Sequence, residues 1–228
     1  MSRFALIPAA GSGSRLAGEL PKQYLPLGGK PMLWHTVRAL CVPQVETVFA
    51  VLAPGDVIFA AQDWSAFGAK LEPLYCGGRT RHESVANGLK AGLKAADMDL
   101  DDWVLVHDAA RPCLAQNDLR ALIDACENDP VGGILALRVA DTVKRADAEG
   151  RIEATQSRDG LWLAQTPQMF RAGLLIEALG RAAGEVTDEA SAVEAMGPRP
   201  RLVPGNADNI KVTWPSDLAL AEAILAAR

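Results

Sequence analysis

Phe4-Ala5-Leu6-Ile7-Pro8-Ala9-Ala10-Gly11-Ser12-Gly13-Ser14-Arg15-Leu16 runs a short apolar stretch into a loop of small residues and two glycines. Four apolar residues closed by Pro and Gly are too short for a helix and read as a buried strand. A glycine loop at the carboxyl end of a leading strand is where open α/β sheets bind ligands. Further short runs repeat the pattern at Thr47 to Leu52, Leu71 to Cys76, Trp103 to His107 and Gly133 to Val139. Helical stripes fall between them. Leu33, Val37 and Leu40 share a face behind Pro31, and Val85, Leu89 and Leu93 share another. Leu119, Leu122, Ile123 and Cys126 make a third behind Asn117 as cap. Strands alternating with amphipathic helices predict an α/β fold, a mostly parallel sheet with helices on both faces.

The 228 residues are 49% hydrophobic and 22% charged, with a formal charge of -5. That composition fits one domain and excludes disorder, collagen and coiled coil. At this length roughly 70% of the unfolded surface is buried on folding, so neither a disulfide nor a structural metal is required. Cys41, Cys76, Cys113 and Cys126 form no C-x2-C pair and are expected to be free thiols. The acidic balance argues against a nucleic-acid binder. No apolar run reaches about 18 residues, and the first strand leaves no room for a leader peptide, so a soluble cytoplasmic protein with no membrane partner is expected.

After Val139 the rhythm breaks. Asp141 to Arg145 and Arg151 to Thr155 read as a polar hairpin around Ala146-Asp147-Ala148-Glu149-Gly150, an arm spanning about 139–159. An isolated two-stranded hairpin is marginal in water, so this one is expected to lean on a second subunit. Beyond it the sequence predicts a helix from about Phe170 to Ala182 and a helix near Thr187-Asp188-Glu189. A strand near Arg201 to Val203 and a helix from Ser216 complete the chain.

Four clusters carry chemistry. The first loop is neither a dinucleotide fingerprint, whose third glycine is replaced by Leu16, nor a P-loop, since no G-x4-G-K-[ST] occurs. It does lead to Arg15 and then Pro21-Lys22-Gln23-Tyr24. Glycine amides with an Arg and a Lys supply donors to several sides of a polyphosphate. Gly77-Gly78-Arg79-Thr80-Arg81-His82-Glu83-Ser84 opens a second glycine loop, with Ser84 read as the cap of the following helix. Trp103 to Val106 runs into His107-Asp108-Ala109-Ala110-Arg111-Pro112. A carboxylate at a strand end facing a phosphate loop suits Mg2+ held jointly with substrate phosphates, whereas His107 reads as a structural ring. Arg158, Thr166-Pro167-Gln168, Thr187-Asp188-Glu189 and Asp208 to Thr213 form the fourth, late set, in which Thr187 alone would be an ordinary helix cap.

Together these segments resemble the 2-C-methyl-D-erythritol 4-phosphate cytidylyltransferases of the non-mevalonate isoprenoid pathway, over nearly the whole chain. The resemblance implies a Rossmann-like nucleotidyltransferase fold and transfer of a cytidylyl group from CTP to 2-C-methyl-D-erythritol 4-phosphate with Mg2+. It implies that Ala9, Ala10 and Gly78 hold cytosine by backbone groups with Ser84 nearby, while Gly11 and Gly13 shape the phosphate loop. Arg15 and Lys22 would embrace the triphosphate as the catalytic pair. Asp108 would bind Mg2+ and contact ribose or substrate, and Arg111, Thr187 and Lys211 would define the sugar-phosphate pocket. It further implies a homodimer whose arm carries Thr142 and Arg158 into the neighbouring site. Arg79 departs from the pattern, since similar enzymes often have an acidic residue there. Some relatives are fused to a second pathway domain, and the length points to the single-function form. The nearest rival is a ribitol-5-phosphate cytidylyltransferase; a non-catalytic nucleotide-binding module is the other class of reading, and the missing fingerprint disfavours NAD-dependent reduction.

Overall fold

The computed structural model describes residues 1–11, 20–96, 98–182 and 187–228. In chain order its elements are β1 (Arg3–Pro8), β2 (Pro26–Leu27), β3 (Lys30–Pro31), α1 (Met32–Leu40), β4 (Val48–Val51), β5 (Leu71–Leu74), α2 (Arg81–Ala95), β6 (Trp103–Val106) and α3 (Gln116–Cys126). There follow β7 (Gly132–Arg138), β8 (Val143–Ala146), β9 (Ile152–Gln156), β10 (Trp162–Arg171), α4 (Ala172–Arg181), α5 (Glu189–Glu194), β11 (Arg201–Pro204) and α6 (Pro215–Ala226).

Among the described residues seven strands form one sheet in the order β11-β7-β10-β6-β1-β4-β5. Within it β10 runs against the others, pairing antiparallel with both β6 and β7. The alternation of side chains along β1 splits the core in two. Ala5 and Ile7 face α1 and α3 through Leu33, Val37, Leu119 and Leu122. Phe4 and Leu6 face α2 and α4 through Val85, Leu89 and Leu175. All are buried, each large one contributing about 1.5 to 3 kcal/mol. The strand order reverses direction at β1, between β4 on one side and β6 on the other. Ligands bind outside the carboxyl ends of such strands, so the loops after β1, β5 and β6 are brought to one crevice.

The structure corrects several sequence expectations. Phe170 does not begin a helix: it lies in β10, and α4 starts at Ala172. The α3 cap is Ala115, with Asn117 inside the helix, and Pro31, expected in the first turn of α1, is instead its N-cap. Ser84 is not the cap of α2, because Thr80 accepts from Glu83 N; the Thr-x-x-Glu spacing carried that signal. Asp188, not Thr187, caps α5, in a reciprocal box with Ser191. The hairpin is present as β8 and β9, paired with each other in a separate two-stranded sheet. The four cysteines are free. Among the described residues no helix is long and apolar enough to cross a membrane.

Candidate active site

Three loops meet at the carboxyl edge. The loop after β5 lies directly on the one after β1, since a Cβ on Gly77 would sit 2.2 Å from Ala10 Cβ and 2.8 Å from Leu52 O. A side chain there would force the loops apart. Ala9 is fixed at both backbone groups: its N–H donates to Val51 O at 2.8 Å, and its carbonyl accepts from Gln23 Nε2 at 2.7 Å. Gly78 N–H donates to Ser84 Oγ at 3.0 Å, and Ser84 Oγ donates in turn to Thr80 O at 2.9 Å. Ser84 therefore shapes the loop from within α2.

Between these loops is a cavity of about 220 Å3, whose walls include Ala9, Ala10, Gly11, Lys22, Gly78 and Ser84. Lys22 Nζ donates to Val212 O at 2.5 Å, tying the Pro21-Lys22-Gln23-Tyr24 turn to the segment that carries Lys211. A second cavity, of about 240 Å3, adjoins it and includes Arg111, Thr166, Gln168, Thr187 and Asp188 in its walls. Both are bounded by Arg81, Asp108 and Lys211. Ala9, Ala10, Gly11, Lys22, Gly78 and Ser84 thus line one chamber and Arg111 and Thr187 the adjacent one, with one charged partition between them.

The partition is an ion-pair cluster. Asp108 Oδ1 accepts from Arg81 Nε at 2.8 Å, and Oδ2 from Lys211 Nζ at 2.8 Å, with Arg111 Nε at 3.8 Å. Arg81 also forks onto Glu189, at 2.6 and 2.9 Å. Burial alone would push the Asp108 carboxyl up, but Arg81, Lys211 and Arg111 together hold it well below the usual carboxylate range. Three cations face two carboxylates, so the cluster is net positive inside a net acidic protein. Such local charge favours anionic ligands. Arg81 and Glu189 went unassigned in the sequence because 108 positions separate them and no local spacing betrays the pair.

His107 is structural. Its Nε2–H donates to Arg111 O at 3.1 Å, so Nδ1 accepts from Thr166 Oγ1 at 2.8 Å. Thr166 Oγ1 in turn accepts from Asp108 N at 3.0 Å. Protonating Nδ1 would break this relay, and burial pushes the His107 pKa down to about 4. The folded-state value lies below the unfolded one, so its contribution is present at neutral pH and lost as pH falls from about 6.5 toward 4. Urea unfolding should show about 3 kcal/mol less stability at pH 4 than at pH 7 from this ring. His107→Gln should flatten the profile in that window, and an unchanged slope would contradict the neutral buried ring.

The expected residues divide as follows. Lys22, Ala9, Ala10, Gly11, Gly78, Ser84 and Asp108 surround the first cavity. Arg111, Thr187 and Lys211 border the second. Gly13 and Arg15 lie outside the described residues. Thr142 and Arg158 are exposed on the arm and border neither cavity; the Arg158 guanidinium donates to Ala140 O. Arg79 points into solvent and pairs with Glu83 at 3.7 Å. Among the described residues no three His, Cys, Asp or Glu side chains group to hold a metal. Among them, too, Asp108 is the single carboxylate in the walls of the first cavity. That donor set suits Mg2+, which binds through one or two carboxylates together with substrate phosphates.

The chain matches the sequence profile of the 2-C-methyl-D-erythritol 4-phosphate cytidylyltransferase family over residues 4–227. It is 60% identical over 227 residues to the 2-C-methyl-D-erythritol 4-phosphate cytidylyltransferase of Dechloromonas aromatica (strain RCB), covering 99% of this chain and 98% of that protein. Among solved structures it is similar to a crystal structure of 4-diphosphocytidyl-2C-methyl-D-erythritol synthase, with a TM-score of 0.86, 43% identity and 98% of each chain covered. It is also similar to the 2-C-methyl-D-erythritol 4-phosphate cytidylyltransferase of Francisella tularensis, with a TM-score of 0.81, 34% identity, and 98% of this chain and 100% of that one covered.

Proposed function

The chain belongs to the 2-C-methyl-D-erythritol 4-phosphate cytidylyltransferase family, and from that premise we propose how its residues carry out the reaction. It is a nucleotidyltransferase that moves a cytidylyl group from CTP to 2-C-methyl-D-erythritol 4-phosphate in isoprenoid precursor synthesis, giving 4-diphosphocytidyl-2-C-methyl-D-erythritol and pyrophosphate. The observation that carries the assignment of roles is the pair of adjacent cavities sharing Arg81, Asp108 and Lys211. CTP occupies the first, with its base against Ala10, Gly78 and Ser84. The sugar-alcohol phosphate occupies the second, beside Arg111, Thr187 and Lys211.

In the reaction an oxygen of the acceptor phosphate forms a bond to the α-phosphorus of CTP, and the bond from that phosphorus to the β-phosphate bridging oxygen breaks. Both reactants are anions. Lys22 holds the triphosphate, joined by Arg15 on the family resemblance, and Lys211 and Arg111 draw in the acceptor phosphate, so the repulsion is offset by the Lys22, Lys211 and Arg111 charges that border the cavities. No protein general base is required, because a phosphate monoester has its second pKa at about 6. Mg2+, bound by Asp108 and the triphosphate, would neutralise further negative charge on the phosphates. Arg81 takes one hydrogen bond at Oδ1 and Lys211 one at Oδ2, with Arg111 at 3.8 Å beyond hydrogen-bond distance, so each Asp108 oxygen keeps a second lone pair.

We take the enzyme to work in the cytoplasm as a homodimer. Ile152 on the arm, Leu161 just before β10 and Leu163 within it are exposed, which favours burial against a second copy. Thr142 and Arg158 would then serve the partner's acceptor phosphate. Arg158→Ala should raise KM for the acceptor roughly 10- to 100-fold, the scale of a lost charge-assisted bond, with KM for CTP little changed. A rise confined to KM for CTP would move the arm away from the acceptor.

The direct test is pyrophosphate release from CTP and Mg2+ with each acceptor supplied separately. Release with 2-C-methyl-D-erythritol 4-phosphate and background rates with ribitol 5-phosphate are expected. Faster turnover of ribitol 5-phosphate would exchange the acceptor, and CTP binding without release would leave only a nucleotide-binding module.

A further inference from the structure

Arg81 breaks a local rule. It is the first residue of α2, where the helix dipole disfavours a cation. Rules broken locally in this way mark positions retained for another reason. The compensation comes from two carboxylates distant in sequence. Glu189, the first residue of α5 and only 1% exposed, takes both terminal nitrogens of the guanidinium, and Asp108 takes Nε. The planar fork fixes Arg81 in one orientation, which a lysine would not do. Two helix starts, one beside the Gly78 loop and one beside Thr187, are thereby joined through a single side chain.

We propose that Arg81 is a positioning residue for cytidylyl transfer: held by Glu189, it fixes the Asp108 carboxylate in the partition between the two cavities and so keeps Lys211 directed to the anionic substrates. This rests on the two-cavity reading given above. The division of Asp108 is the physical basis. Arg81 occupies Oδ1, so Lys211 shares only Oδ2 with Arg111. With Arg81 absent, Asp108 draws more of its compensation from Lys211 and Arg111, and both lose strength toward a phosphate. The carboxylate also loses the contact that sets its rotation. Glu189 acts only through Arg81, since its buried carboxyl has no other cation within salt-bridge distance among the described residues.

The test separates positioning from simple charge compensation. Arg81→Met strands Glu189, so its Tm should fall along with kcat/KM for the acceptor. The double variant Arg81→Met with Glu189→Gln removes both charges and should regain most of the Tm, while kcat/KM stays down by about 100-fold, the scale of a misplaced reacting group. Arg81→Lys keeps the charge without the fork, and its kcat/KM should fall about 10-fold at near-native Tm. Wild-type kcat/KM in either the double variant or Arg81→Lys would overturn the proposal, leaving Arg81 as the counter-ion of Glu189. Wild-type protein that releases no pyrophosphate with 2-C-methyl-D-erythritol 4-phosphate would instead overturn the functional reading on which it rests.

Discussion

Lys22→Ala is expected to lower kcat about 100-fold or more, the scale of a lost transition-state donor. Lys22 borders the cavity proposed for CTP and is fixed at Val212 O, next to Lys211, so its ammonium is held in place before substrate arrives. A charge that needs no reorganisation during the reaction acts mainly on the barrier. The loss should therefore appear in kcat as well as in kcat/KM for CTP. Tm should move by only about 2 to 4 °C, the effect of roughly one hydrogen bond in a chain of this size. Steady-state kinetics with both substrates, alongside a thermal melt, checks this. Unchanged kcat would remove Lys22 from the chemistry, and a large loss of Tm would make it a structural tie. Arg15→Ala carries the same kinetic expectation on the family resemblance alone.

Asp108→Ala combines a kinetic and a structural loss. The side chain is buried and faces Arg81, Lys211 and Arg111. Removing one partner of a buried pair leaves uncompensated charge and costs about 3 to 5 kcal/mol. For a chain of this length that lowers Tm by roughly 10 °C. The same change frees the three cations from their fixed geometry and removes the proposed Mg2+ ligand, so kcat should fall about 100-fold or more. Measuring turnover well below the variant's own melting transition, where the folded state persists, separates the two. A variant with a lowered Tm and full turnover would assign Asp108 to stability alone.

The first strand with Ala9, Ala10 and Gly11 after it, and the acid at Asp108 just past the end of β6, were legible in the sequence from strand ends marked by Gly or Pro, and Lys22 from its place behind Pro21, where it opens a short helical turn. The ladder of parallel strands followed from the same punctuation. β10 was not legible: Gln165, Thr166, Pro167 and Gln168 interrupt it with polar residues and a proline, which argue against a central strand. The structure accommodates them with a register shift between Ala164 and Gln168 and with side-chain partners. Asn209 Nδ2 donates to Thr166 O, and Gln168 joins Asp188 and Ala190 N. Those partners are remote in the chain, so local patterning could not supply them. The link from Arg81 to Asp108 and Glu189 was hidden for the same reason: its residues were visible, but the fold alone brings them together. The arm was legible as a polar hairpin, and its two strands pair with each other as read.

Fixed positive charge at the carboxyl edge of the sheet is proposed to receive CTP in one cavity and the acceptor phosphate in the next. A crystal structure with CTP and Mg2+ bound is the decisive measurement. Cytosine should lie against Gly78 and Ser84, with the triphosphate within hydrogen-bond reach of Lys22 Nζ and Asp108 on the metal. A triphosphate bound elsewhere, with the Lys22 ammonium turned away from it, would refute this arrangement.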